Sequence, residues 1–170
     1  MSKTNLRELF AQLKQGDRDA FTRIYQELKQ PVFTICYRIT QSKETAEDIT
    51  HDVFVKLFRC PPDTSVQNIR AWIFQMARNL AIDVLRRNAR TAEQDSPGSI
   101  EDICEPIHLR MDVEAALDRL PRQEREILTL HLNAELSFKE ISCVTGLSLA
   151  AVYRKYRKAL KSIQAELNGG

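Results

Sequence analysis

The chain has 170 residues, 43% of them hydrophobic, enough for one medium core or two small ones, and its formal net charge of +2 averages over a basic 70–90 stretch, a basic 154–161 stretch and an acidic 93–105 stretch. No apolar run approaches the roughly 18 residues of a membrane helix, and the N-terminal Met1-Ser2-Lys3-Thr4-Asn5 lacks an apolar leader core, so the chain is expected to be cytoplasmic. Five Gly, six Pro and little β-branched alternation, against recurrent Leu, Ala, Glu, Arg, Lys and Gln, predict an all-α fold.

Along the chain, Asp17 opens a helix whose buried face is Phe21, Ile24, Tyr25 and Leu28, and Pro31 starts a new segment carrying Val32, Ile35, Cys36 and Ile39. A helix from Glu44 to Phe58 places Ala46, Ile49, Val53 and Leu57 on its inward stripe, which leaves Asp48, His51, Asp52 and Val55 on the opposite face. Cys60-Pro61-Pro62-Asp63-Thr64-Ser65 is a stiff exposed loop, because consecutive prolines remove donors and push their predecessors toward extended backbone. From Asn68 to about Arg87 runs a long helix with Ile69, Trp72, Ile73, Met76, Leu80 and Val84 on its apolar stripe. Phe74 faces outward among Arg70, Gln75, Arg78 and Arg86, which makes Phe74 rather than Trp72 the candidate for stacking on a base.

The segment Thr91 to Ser99 is poor in large apolar residues and contains Pro97-Gly98, a linker signal. The expected organisation is therefore two small helical domains, an N-terminal bundle (1–90) and a C-terminal helix-turn-helix unit (109–170), joined by a flexible acidic linker (91–108). Cys36, Cys60, Cys104 and Cys143 are scattered without a C-x-x-C pair or a His at zinc-ligand spacing, so no metal or redox site is expected; Cys36 and Cys143 read as small core residues.

The second unit carries the most informative pattern. Ser137 and Glu140 form a capping-box start, Gly146 supplies a left-handed stop, and Ser148 caps a helix from Leu149 to about Ala165 whose inward stripe is Val152, Tyr156, Ala159, Leu160 and Ile163. Two helices around a Gly turn, the second bearing Arg154, Lys155, Arg157, Lys158 and Lys161 with no acid between 149 and 161, have the form of a DNA-binding helix-turn-helix. The exposed residues of the second helix would then be Ala150, Ala151, Tyr153, Arg154 and Arg157. Arginine is shaped to bridge guanine, while Lys155 and Lys158 suit phosphates. The same pattern also fits a solvated face of a helical bundle.

With both halves in view, the chain resembles the sigma-70 family of bacterial initiation factors, in its two-domain extracytoplasmic-function (ECF) subgroup. The resemblance rests on three strings in order: Ala46 to Phe54, like that family's polymerase-clamp helix; Ile69 to Asp83, like its promoter-melting helix; and Leu120 to Glu126, like the opening of its C-terminal domain. It implies a non-enzymatic factor without cofactor, which binds core RNA polymerase through Asp48, His51, Asp52 and Val55. The −10 element would meet Pro61, Asp63, Arg70, Phe74, Gln75, Arg78, Asn79, Arg86 and Arg87. The −35 element would meet Ser148, Ala150, Ala151, Tyr153, Arg154, Lys155, Arg157 and Lys158. Core RNA polymerase, promoter DNA and an anti-sigma factor are the implied partners, with a monomer as the free state. Ala150 to Lys155 departs from the Gly-Thr-Val-Lys-Ser-Arg of many relatives, which leaves the −35 sequence open. A helix-turn-helix regulator acting without polymerase is the rival reading, and the basic 70–90 helix argues against it. A catalytic or metal role for Asp48, His51 and Asp52 is discounted: they share one helix face with no partner motif.

Overall fold

The structure, a computed structural model, describes residues 5–63, 65–92 and 108–168. Among them are eight helices and no strand: α1 (Leu6–Lys14), α2 (Arg18–Thr40), α3 (Lys43–Arg59), α4 (Ile69–Ala92), α5 (His108–Arg119), α6 (Arg122–Leu132), α7 (Phe138–Thr145) and α8 (Leu149–Asn168). The expected acidic linker falls almost wholly outside the described residues.

Helix starts follow local chemistry. Asp17 caps α2 by accepting from the amides of Asp19 and Ala20, and Ser42 caps α3 by accepting from Thr45. The helix α3 ends at Cys60, where Pro61 and Pro62 forbid another turn. Asn68 Oδ1 accepts from the amide of Ala71 and so caps α4. Pro31, by contrast, lies inside α2 instead of starting a new segment. An interior proline costs about 3 kcal/mol. Here the cost is offset because one stripe, Ile24, Leu28, Val32 and Ile35, is fully buried on both sides of it. The short α1, built on Leu6, Leu9, Phe10 and Leu13, packs against α2 and was not expected from the sequence.

One cluster of buried apolar side chains runs through the described chain. It contains Ile24, Leu28, Val53, Ile73 and Phe74 from the first half together with Ile127, Leu130, Leu136, Ile141 and Val152 from the second. The halves are also tied by polar contacts. Arg38 pairs with Asp118 at 2.8 Å and with Glu114 at 3.9 Å, Arg70 Nε donates to the carbonyl of Ala134 at 2.8 Å, and Arg78 pairs with Glu126. Asn68 Nδ2 donates to Glu140 Oε1, so the side chain that caps α4 touches the one that caps α7.

Candidate nucleic-acid interface

Helix α3 presents Asp48, His51 and Asp52 to solvent, with Val55 half-buried beside them, because Ala46, Ile49, Val53 and Leu57 occupy the core side. No cation pairs with Asp48 or Asp52 among the described residues, so the patch is an unneutralised acidic surface on the first half.

The nine residues expected at a −10 strand divide into three groups. Gln75, Asn79, Arg86 and Arg87 are exposed on α4. Gln75 and Asn79 join Trp72, Met76, Leu80, Asp83 and Lys56 around an open cavity of about 350 Å³ between α3 and α4. Arg70, Phe74 and Arg78 lie on a different side of the helix, beneath α6 and α7. Phe74 is fully buried, with the Arg70 guanidinium 5.9 Å from its ring centre. Arg70 is held by Glu27 at 3.0 Å and by the Ala134 carbonyl. The Arg78 and Glu126 side chains are 16% and 2% exposed. The outward orientation expected of Phe74 is therefore corrected, while Trp72 is partly buried, packed against the core cluster, and also lines the cavity. The cause is long-range: α4 is packed by α2 and α3 on one side and by α7 on another, so its buried arc is Ile69, Ile73, Phe74, Ala77 and Ala81.

The third group is the loop. Asp63 is exposed and makes a 3.9 Å ion pair with Lys14, and Pro61 is half-buried. Arg7 donates to the carbonyls of Val66 and Gln67, so α1 fastens the loop from below, a role no local signal marks. Thr64 lies outside the described residues, and none of the cavity's lining residues comes from the loop.

In the second half, Ser137 accepts from the amide of Glu140 and Glu140 accepts from that of Ser137, while Gly146 ends α7 at φ +74, a backbone region costly for a side chain with a Cβ. Ser148 Oγ accepts from the amide of Ala151 and starts α8. Ala150, Tyr153, Arg154 and Arg157 are exposed, Ala151 and Lys155 half-buried. Lys158 is 3.0 Å from Glu124, whose carboxylate is nearly buried and has one oxygen without a partner. That amine offsets an internal charge while its side chain stays 67% exposed. Leu160 is exposed although the stripe placed it inward, and Cys143 is exposed on α7 instead of in the core. Cys36 is buried, and desolvation pushes its thiol up to about 12.

Two surfaces rich in cations and amides thus sit on helices of different halves. Residues 24–91 match sigma-70 region 2, and residues 110–163 match sigma-70 region 4, in that order. The ECF RNA polymerase sigma factor SigM of Bacillus subtilis is 27% identical over 154 residues, covering 86% of this chain and 94% of that protein. The ECF RNA polymerase sigma factor SigE of Mycolicibacterium smegmatis is 27% identical over 163 residues, covering 88% of this chain.

This chain belongs to the sigma-70 family, in its ECF subgroup.

It spans 62% of the length of the mycobacterial SigE. Among solved structures, the sigma factor RpoE of Bartonella quintana in complex with the anti-sigma factor NepR has a TM-score of 0.75 at 19% identity, covering 87% of this chain and 96% of that one. CnrH in complex with the cytosolic domain of CnrY has a TM-score of 0.68 at 24% identity, covering 96% and 97%. These two likenesses concern the fold. In family terms, α2, α3 and α4 make up region 2, and the helices from α5 to α8 make up region 4.

Proposed function

We propose that this sigma factor docks on core RNA polymerase, directs it to promoters by recognising −10 and −35 elements, and assists strand opening without catalysing a reaction. The observation that carries the reading is one chain holding region 2 and region 4, each with its own exposed polar and cationic helix face. Melting requires unstacked bases to find a better site on protein than in the duplex, where each stacking step is worth about 1.4 kcal/mol. On α4, Trp72 with Gln75 and Asn79 offers an apolar and amide-lined cavity, and Arg86 and Arg87 continue the exposed face as phosphate contacts. The acidic face of α3, Asp48, His51 and Asp52 with Val55, suits a basic protein surface and repels DNA, which assigns it to the polymerase. Helix α8 enters the −35 major groove through Ala150, Ala151, Tyr153, Arg154 and Arg157, with Ser148 and Lys155 toward the backbone.

In this reading residues 1–90 and 109–170 act as two units and 91–108 as their tether. Strand binding by Arg70 and Arg78 requires α6 and α7 to leave α4, since both guanidinium groups are occupied in the closed arrangement. Among the described residues no helix is long and apolar enough to cross a membrane, and the site of action is the cytoplasm, with polymerase. The free chain is a monomer, and an anti-sigma factor is a further partner class, a reading supported by the fold likeness to RpoE, which is bound to the anti-sigma factor NepR in its structure. The test is transcription by purified chain plus core polymerase on a library randomised at both elements. Promoter-directed RNA that depends on the chain supports the proposal. Operator-like duplex binding without any effect on where polymerase starts would refute it.

A further inference from the structure

Helix α8 offers two exposed arginines to a duplex, and they differ in how they are held. Among the described residues Arg154 makes no ion pair or ring contact. Arg157 lies with its guanidinium carbon 5.9 Å from the ring centre of Tyr153, one helical turn earlier on the same face. Tyr153 is 50% exposed yet anchored: Phe138, the first residue of α7, meets it edge to face at 5.7 Å and 81°. Phe138 in turn stacks on His131 at 4.7 Å and 28° and leans on Tyr156 at 4.9 Å. His131 closes the set by donating from Nδ1 to the carbonyl of Leu136 at 2.8 Å, which fixes the ring against the turn between α6 and α7. A continuous aromatic column therefore runs from the inside of the helix-turn-helix to the guanidinium at its surface. No carboxylate pairs with Arg157 among the described residues, so its fork of donors is presented while its plane is restrained.

We infer that Tyr153 is a positioning residue for −35 recognition: its ring pre-orients Arg157 for the O6 and N7 edge of a guanine in the major groove. The inference rests on the sigma-factor reading and goes beyond it by naming one reader and the residue that orients it. A side chain already restrained loses less freedom when it docks, so the gain falls on discrimination between bases rather than on general affinity for phosphates.

The experiment uses the full chain with core polymerase on a library randomised through the −35 element, read by sequencing the transcripts. Its arms are wild type, Y153F, Y153L, R157A and Y153L/R157A. Wild type is expected to prefer guanine at one position, with R157A losing that preference about fivefold or more. Y153L should lose most of the same preference at the same position, Y153F should restore it, and the double variant should be no worse than R157A alone. Thermal unfolding of Y153L checks that the domain is intact. Undiminished guanine preference in Y153L, or losses from Y153L and R157A that simply add, overturns the inference. A wild type that selects promoters with no preference sensitive to Arg157 overturns it too, while leaving the sigma-factor reading standing. A wild type that selects no promoter sinks both.

Discussion

Replacing Arg78 by Ala tests whether the two halves hold each other. Glu126 is 2% exposed and Arg78 is its cation, so the substitution leaves a carboxylate out of water without a partner. Removing one member of a buried pair costs about 3–5 kcal/mol when the site cannot rearrange. This site can. The halves can part, which returns Glu126 to solvent at the expense of Arg38–Asp118, Arg70 to the Ala134 carbonyl, Asn68–Glu140 and the shared apolar burial. The expected result is therefore separation more than unfolding, with the closed-to-open equilibrium shifted by up to about 3–5 kcal/mol, or roughly two to three and a half powers of ten. The double variant R78M/E126L removes both charges and fills the same space with apolar groups, a change that is commonly neutral or stabilising by about 1–4 kcal/mol. It should stay closed.

The assay is built into the chain. Cys60 and Cys143 are exposed thiols in opposite halves, while Cys36 is buried and its thiol is held neutral. With Cys104 replaced by Ser, a donor and an acceptor dye on Cys60 and Cys143 report the separation of the halves by energy transfer. Wild type and R78M/E126L should give one high-transfer population and R78A a low-transfer one. Equal transfer in R78A and wild type, with unchanged denaturation midpoints, would refute the claim that this pair helps keep the halves together.

E126Q removes the competing charge while keeping the Arg78 guanidinium, and should raise the free chain's affinity for a single-stranded −10 oligonucleotide about tenfold, measured by fluorescence anisotropy; no change would mean that Arg78 does not hold the strand. Reversing Asp48 and Asp52 to Lys should slow association with core polymerase about tenfold at low salt, with the difference shrinking as salt rises, in stopped-flow binding. S137A removes half of the capping box at α7 and should lower stability in urea by about 1 kcal/mol. For Cys36 the folded value lies above the ordinary 9.0, at about 12. The neutral thiol's contribution is therefore complete below pH 9 and is lost as pH rises through 12. The stability difference between wild type and C36A should accordingly shrink across that window in denaturant titrations at stepped pH.

What was legible in the sequence was local. The stripe of α3, the caps at Asp17, Ser137 and Ser148, and the left-handed Gly146 are set by residues within a turn of one another, and each is found where spacing placed it. The differences arise where a distant segment decides. A helix covered from one side shows one apolar stripe, but α4 is covered from two, so Phe74 turns inward, while Trp72, packed against the core, also lines a cavity. Pro31 is a stop signal only for a helix with nothing to gain from continuing, and α2 has a buried stripe on both sides of it. Lys158 looks like any surface lysine until Glu124 is found beneath it. Cys143 and Leu160 have apolar neighbours in sequence but face solvent in space.

The division of the α4 cations between an exposed set and a covered set bears on how salt should act on this protein. Arg70 and Arg78 meet carbonyl and carboxylate oxygens in the closed chain, the same oxygen chemistry a phosphate offers, so strand and second half compete for the same guanidinium groups. The two sides of that competition are not screened alike. Contacts to phosphates release counterions and weaken steeply as salt rises, whereas a pair at 16% and 2% exposure is shielded from mobile ions. Raising salt must then favour the closed chain over the strand-bound one by more than it weakens phosphate contacts at the exposed Arg86 and Arg87. A salt slope for single-strand binding steeper in wild type than in an opened variant such as R78A/E126A by clearly more than roughly 0.7 would not come from the count of phosphate contacts, which differs by the one at Arg78. It would come from the closed state competing, and equal slopes would show that the two halves open without regard to the strand.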